Sequence, residues 1–121
     1  MNILMIAVLS ILFSVGAQFS LKAGMSSAEI KEVLGAPMTL GTVLSVLTNR
    51  YVLGGFILYG MGAMIWLAVL ARWDVSKAYP LVGLGFVFTV ATGYILGEQV
   101  SIMRAIGTLL ICCGVIMVAR S

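Results

Sequence analysis

The chain is 121 residues long, 62% hydrophobic and only 9% charged, and no water-soluble domain of this size presents so apolar a surface; the composition is that of a polytopic membrane protein. The net charge of +3 is small, and its basic residues stand singly at the ends of apolar runs, which excludes a nucleic-acid footprint. With no histidine, a histidine-ligated metal site and a Ser/His hydrolase are also excluded, and neither a metal nor a cofactor is expected.

Roughly 20 apolar residues cross a hydrocarbon core about 30 Å thick. Residues 2–21, 51–71, 78–97 and 102–119 reach that length. They are continuously apolar and too long for barrel strands, so the sequence predicts an all-α integral membrane protein with one four-helix domain. The connections 72–77 and 98–101 are so short that spans two, three and four follow one another as antiparallel hairpins.

The first span lacks a basic leader, and is read as a retained helix rather than a signal peptide. It carries Ser10, Ser14, Gln18 and Lys22 at intervals of four, one slowly drifting polar stripe on a helix. Such a stripe inside a bilayer marks a protein interface or a solute path. Lys22 has two readings: it snorkels to water, or its ammonium meets an anionic headgroup while Ser14 and Gln18 supply hydrogen bonds.

The long connection 22–50 is partly helical. Ser26 and Glu29 have the spacing of a capping box that opens a short helix, which Gly35 and Pro37 end. Leu40, Val43, Leu44 and Leu47 then form an apolar face opposite Thr39, Thr42, Ser45 and Thr48. That pattern suits a helix in the membrane interface or one packed on the end of the bundle.

Span two holds Gly54, Gly55, Gly60, Gly62 and Ala63, which allow close helix approach, and Tyr59 and Trp66, which fill or line a cavity. Arg72, Trp73 and Asp74 follow at the membrane surface, an ordinary aromatic anchor beside charge. Span three opens on Ala78, Tyr79 and Pro80, with the proline in a first turn where it costs no helical hydrogen bond. Gly83 and Gly85 then thin the helix wall for a substrate or a neighbouring backbone. In span four, Gly107 and Gly114 stand seven apart and form a packing seam, and the adjacent Cys112 and Cys113 read as small apolar residues.

The acidic residues Glu29, Glu32, Asp74 and Glu98 all lie in connections or at a span end. None occupies mid-membrane, where a proton-coupling carboxylate is expected. Arg72, Lys77 and Arg120 on one side nearly balance Lys22, Lys31, Arg50 and Arg104 on the other, so charge sets no single orientation and permits an antiparallel pair. Four short helices enclose little volume, and a transport path calls for a second subunit.

Together these residues resemble the four-helix members of the drug/metabolite transporter superfamily. The run Gly107-Thr-Leu-Leu-Ile-Cys-Cys-Gly114-Val115 is similar to the dimerisation segment of the small multidrug resistance family. That resemblance implies antiparallel dimers and proton coupling through a glutamate of the first helix; anchored on Lys22, its position is held here by Ser14. A second branch fits better. Ser14-Val-Gly-Ala-Gln18-Phe-Ser-Leu-Lys22, Trp66-Leu-Ala-Val-Leu70, Ala78-Tyr-Pro80 and Gly97-Glu98 resemble the subunits of the undecaprenyl-phosphate–aminoarabinose flippase.

The second resemblance implies a transporter of a polyprenyl-phosphate-linked sugar, multi-pass in a bacterial inner membrane, working as a homodimer or as a heterodimer with a similar small subunit. Ser14, Gln18, Lys22, Tyr59, Trp66 and Tyr79 are the candidate substrate contacts, and Gly107 and Gly114 the candidate dimer contacts. The alternatives are a multidrug-type exporter of lipophilic cations or small metabolites and an accessory membrane subunit. An enzyme is not expected, since no nucleophile–base pair is visible.

Overall fold

The computed structural model describes residues 2–121. Asn2 opens helix α1 (Ile3–Met25): its side-chain oxygen accepts from the Leu4 amide at 2.9 Å, satisfying one of the orphan donors at a helix start. After a tight turn come α2 (Ala28–Leu34) and α3 (Leu40–Thr48), both in the first connection. Helix α4 (Arg50–Leu70) begins at Asn49, whose Oδ1 accepts from the amides of Tyr51 and Val52.

The third span is three pieces in line: α5 (Val75–Ala78), a 3₁₀ segment (Tyr79–Gly83) and α6 (Leu84–Ile95). It starts a turn earlier than residue 78, so Pro80 falls inside the span rather than in its first turn. A proline there has no amide to give to the carbonyl four residues back, and the backbone tightens into 3₁₀ geometry. The last helix is α7 (Ile102–Arg120), capped by Ser101 Oγ on the Arg104 amide at 3.1 Å.

Four of these stretches are long and apolar enough to cross a membrane: Ile3–Met25, Arg50–Leu70, Val75–Ile95 and Ile102–Arg120. The turn between the last two is a Schellman motif. The Glu98 amide donates to Gly93 O at 2.8 Å and the Gly97 amide to Tyr94 O at 3.1 Å. Gly97 takes φ 93°, a left-handed conformation that glycine adopts without steric cost.

One more local expectation shifts. The cap of α2 is Ser27, which accepts from the Ile30 amide at 3.4 Å, so Glu29 lies one position too early to complete a capping box. The box forms instead on α3, where Thr39 and Thr42 bond reciprocally through side chains and amides. Thr42 is consequently buried, while Leu40, Val43, Leu44 and Leu47 face outward. Of the polar side of α3, Thr42 is turned into the protein and Ser45 is half-buried, while Thr39 and Thr48 are exposed.

Helix α1 packs along α4, and glycines set the approach. A Cβ on Gly24 would lie 2.6 Å from Val52 Cγ2, and one on Gly55 would lie 2.7 Å from Leu21 Cδ2. Two serines bridge the same seam to backbone carbonyls, Ser10 Oγ to Gly62 O and Ser20 Oγ to Tyr51 O, each at 2.6 Å. A small core of Ala7, Ile11, Val69, Ala78, Leu81 and Val115 ties all four spans together near one end. There Val115 and Ile111 of α7 seat against Gly83, where a Cβ would lie 2.9 Å from Val115 Cγ2.

Candidate functional site: an uncharged cleft

Between α1, α4 and the third span lies a cleft of about 580 Å³. Helix α1 contributes Ser10, Ser14 and Gln18 at helical intervals of four, so one face of the helix supplies its polar wall. Helix α4 contributes Tyr59 and Trp66, seven apart and therefore on nearly one face, with Gly62 between them. Gly62 lets the two walls meet: a Cβ there would come within 3.2 Å of Ser10 O and 3.4 Å of Ser14 Oγ.

The third wall is Tyr79, Val82, Phe86 and Thr89, at steps of three and four along the 3₁₀ segment and α6. Gly85 brings this wall onto α1, where a Cβ would lie 3.2 Å from Ile11 Cγ2. Gly83 and Gly85 thus both admit a neighbouring helix, Gly83 facing α7 and Gly85 facing α1. The tightening at Pro80 sits within this wall, next to Tyr79.

The lining contains no lysine, arginine, aspartate or glutamate. It offers hydroxyls from serine, threonine and tyrosine, one carboxamide, and aromatic faces. Two of these polar groups engage each other, since Gln18 Nε2 donates to the Tyr59 hydroxyl. Ser10 is nearly spent, being buried and bonded to the Gly62 carbonyl. Ser14 is half-buried at the cleft wall. Such a site hydrogen-bonds neutral polar groups and stacks apolar ring faces; it neither neutralises a full charge nor transfers a proton as a carboxylate would.

Of the six residues that the sequence singles out for substrate, Ser14, Gln18, Tyr59, Trp66 and Tyr79 are brought into this one cleft. Lys22 is not. It is exposed one turn beyond Gln18 on α1, toward the membrane surface, and is absent from the lining. Sequence reasoning missed Phe86 and Thr89. Their signal was present, because Tyr79, Val82, Phe86 and Thr89 follow the three-and-four spacing of one helix face.

Gly107 and Gly114 stand apart from the cleft, on α7. A Cβ on either would meet nothing within 4 Å, so both face away from the rest of the chain. Only 6% of α7's most apolar stretch is buried, against 28% for α1.

No family model matches the chain, and no solved structure matches it. Curated relatives do. A protein of Pseudomonas savastanoi pv. phaseolicola is 36% identical over 83 residues, which is 68% of this chain and 73% of that protein. One from Pseudomonas syringae pv. syringae is 44% identical over 62 residues, covering 50% of this chain and 57% of the relative. One from Erwinia tasmaniensis is 40% identical over 63 residues, covering 51% and 58%.

The match therefore spans nearly three quarters of the first relative and little more than half of the other two. Each is described as a probable 4-amino-4-deoxy-L-arabinose-phosphoundecaprenol flippase subunit, ArnE. The identity to the first relative runs over most of both chains, and the four helices have the length and hydropathy of membrane spans. The chain belongs to the ArnE family of small flippase subunits, multi-pass proteins of the bacterial inner membrane.

Proposed function

We propose that this chain is one subunit of a flippase that carries an amphipathic anionic lipid, a sugar linked to a polyprenyl phosphate, across the inner membrane. The observation that carries the reading is the uncharged cleft itself. A sugar presents hydroxyls and apolar ring faces, and the cleft offers hydroxyls, a carboxamide and the rings of Tyr59, Trp66, Tyr79 and Phe86. Its volume, about 580 Å³, falls in the range of small-molecule sites. As the sugar enters, the phosphate meets Lys22 at the rim, where it stands one turn beyond Gln18 on the same helix. Burying an unpaired phosphate would be costly, and the lysine gives it a counter-charge on entry.

Gly107 and Gly114 present a smooth, open face of α7 for a second subunit, either another copy or a similar small chain. Helix α3 lies at the membrane surface with Leu40, Val43, Leu44 and Leu47 toward the acyl chains. Rocking of one subunit against the other would expose the cleft to each side in turn. The test is reconstitution of the full chain, alone and with its candidate partner subunit, into liposomes carrying a labelled polyprenyl-phosphate sugar. Translocation above that of protein-free liposomes is expected; equal rates in every combination contradict the proposal.

A further inference from the structure

A second cavity, of about 520 Å³, opens where the first turn of α2, the end of α3 and the start of α4 meet. Ser27, Glu29, Thr48, Asn49, Arg50 and Tyr51 are among its lining. Most of the neutral groups are already engaged locally. Ser27 Oγ donates to Gly24 O and Thr48 Oγ1 donates to Leu44 O, each at 2.7 Å. Asn49 Oδ1 accepts from the amides of Tyr51 and Val52 at 3.0 and 3.3 Å.

The two full charges are different. Glu29 and Arg50 are both exposed on the cavity wall, and among the described residues no ion pair joins them. The Arg50 guanidinium lies 5.1 Å from the centroid of the Tyr51 ring, a cation–π contact that steadies it at the wall.

A cavity that holds one cation and one anion without joining them suits a ligand bearing both charges. We propose that it binds a lipid headgroup carrying a phosphodiester and a primary ammonium, the phosphodiester on Arg50 and the ammonium on Glu29. The planar guanidinium fork matches two phosphate oxygens, and the carboxylate accepts N–H bonds that a quaternary ammonium lacks.

Depth supports a lipid rather than a soluble ligand. Arg50 is the first residue of a membrane-spanning helix, which places the cavity at headgroup level. The neighbouring α3 turns Leu40, Val43, Leu44 and Leu47 outward, an apolar surface for the chains below such a head.

This inference rests on the flippase reading for its role, which is to hold the charged head of the lipid at the membrane surface. Two lipids share the chemistry: an aminated sugar on a polyprenyl phosphate, and the ethanolamine phospholipid of the bilayer.

The experiment uses the full chain in phosphatidylcholine nanodiscs, with lipid retention read by native mass spectrometry. The added probes are an aminated polyprenyl-phosphate sugar, its unaminated counterpart, phosphatidylethanolamine and phosphatidylglycerol. The aminated member of each pair is expected to be retained about fivefold better, which corresponds to about 1 kcal/mol. Glu29→Gln removes that preference and keeps the phosphate lipids bound. Arg50→Gln, with its helix content verified by circular dichroism, lowers retention of all the anionic and zwitterionic probes, and Arg50→Lys restores part of it.

A larger preference for the aminated carrier names it as the ligand, and a larger preference for phosphatidylethanolamine names the bilayer lipid; either supports the site. A Glu29→Gln protein that keeps the amine preference overturns the proposal, as does a folded Arg50→Gln protein with undiminished retention. Absent transport with an intact, Glu29-dependent amine preference would break the flippase reading and leave this site standing.

Discussion

Helices α1 and α7 are both apolar spans studded with small residues, yet they are held in opposite ways. The α1–α4 seam is closed: Gly24, Gly55 and Gly62 have another helix against the place where a Cβ would be, and Ser10 and Ser20 bond across to carbonyls. On α7, Gly107 and Gly114 look into open space, and the helix packs along the third span, with Val115 and Ile111 against Gly83. In hydrocarbon, lipid tails are as apolar as leucine, so contact between helices has to come from close packing and hydrogen bonds. The first seam has both within one chain. The second has the shape for close packing and lacks its counterpart in this chain, which is why a partner subunit is proposed there.

Breaking the closed seam has the largest expected effect. Gly55→Val drives a side chain into Leu21 and the Ala17 carbonyl, and overpacking of this kind costs about 1–3 kcal/mol. Denaturant titration of the protein in detergent should show it as a lowered midpoint. Removing the charge beyond the cleft comes next: Lys22→Ala should weaken binding of an anionic polyprenyl phosphate by about fivefold, since a surface lysine contributes about 1 kcal/mol to anionic lipid. Unchanged retention in native mass spectrometry would return Lys22 to simple snorkelling.

Ser10→Ala tests the hydrogen-bonded part of the seam. Hydrogen bonds between membrane helices average about 0.6 kcal/mol, so a small loss in the same titration is expected. Smallest of all, Gly107→Leu together with Gly114→Leu should change the stability of the isolated chain by less than about 0.5 kcal/mol. The same pair should abolish association in cross-linking or analytical ultracentrifugation. A large loss of monomer stability would show that this face of α7 already serves the fold, and the contrast between the two helices would fail.

Much of this architecture is legible in the sequence because membrane spans declare themselves by length and continuous hydropathy. The polar stripe was visible too, and so were Tyr59, Trp66 and Tyr79. Spacing along a helix does not say how far a stripe runs before it leaves a cavity. Ser10, Ser14 and Gln18 reach the cleft, while Lys22, one more turn along, has passed its edge. Equally, glycine spacing reveals a seam and is silent about which helix fills it. Gly62 and Gly107 look alike in the sequence, and only the fold separates the filled seam from the open one.

The 3₁₀ turn at Tyr79–Gly83 depended on where the third span begins. Starting it at residue 78 puts Pro80 in a harmless first turn; starting it at Val75 puts the same proline where the α-helix cannot continue unchanged. The α2 cap is a similar case: the spacing to Glu29 points to Ser26, and the structure places the cap one residue later, at Ser27.

The central claim is that the uncharged cleft receives the sugar of a lipid-linked substrate. Photo-cross-linking tests it most directly, using a polyprenyl-phosphate sugar with a diazirine on the sugar ring and mapping the adducts by peptide mass spectrometry. The account predicts labelling at Tyr59, Trp66, Tyr79 and Phe86, reduced by unlabelled substrate. Labelling confined to Leu4, Met5, Leu9 and Leu12, which line an apolar groove on α1, would contradict it.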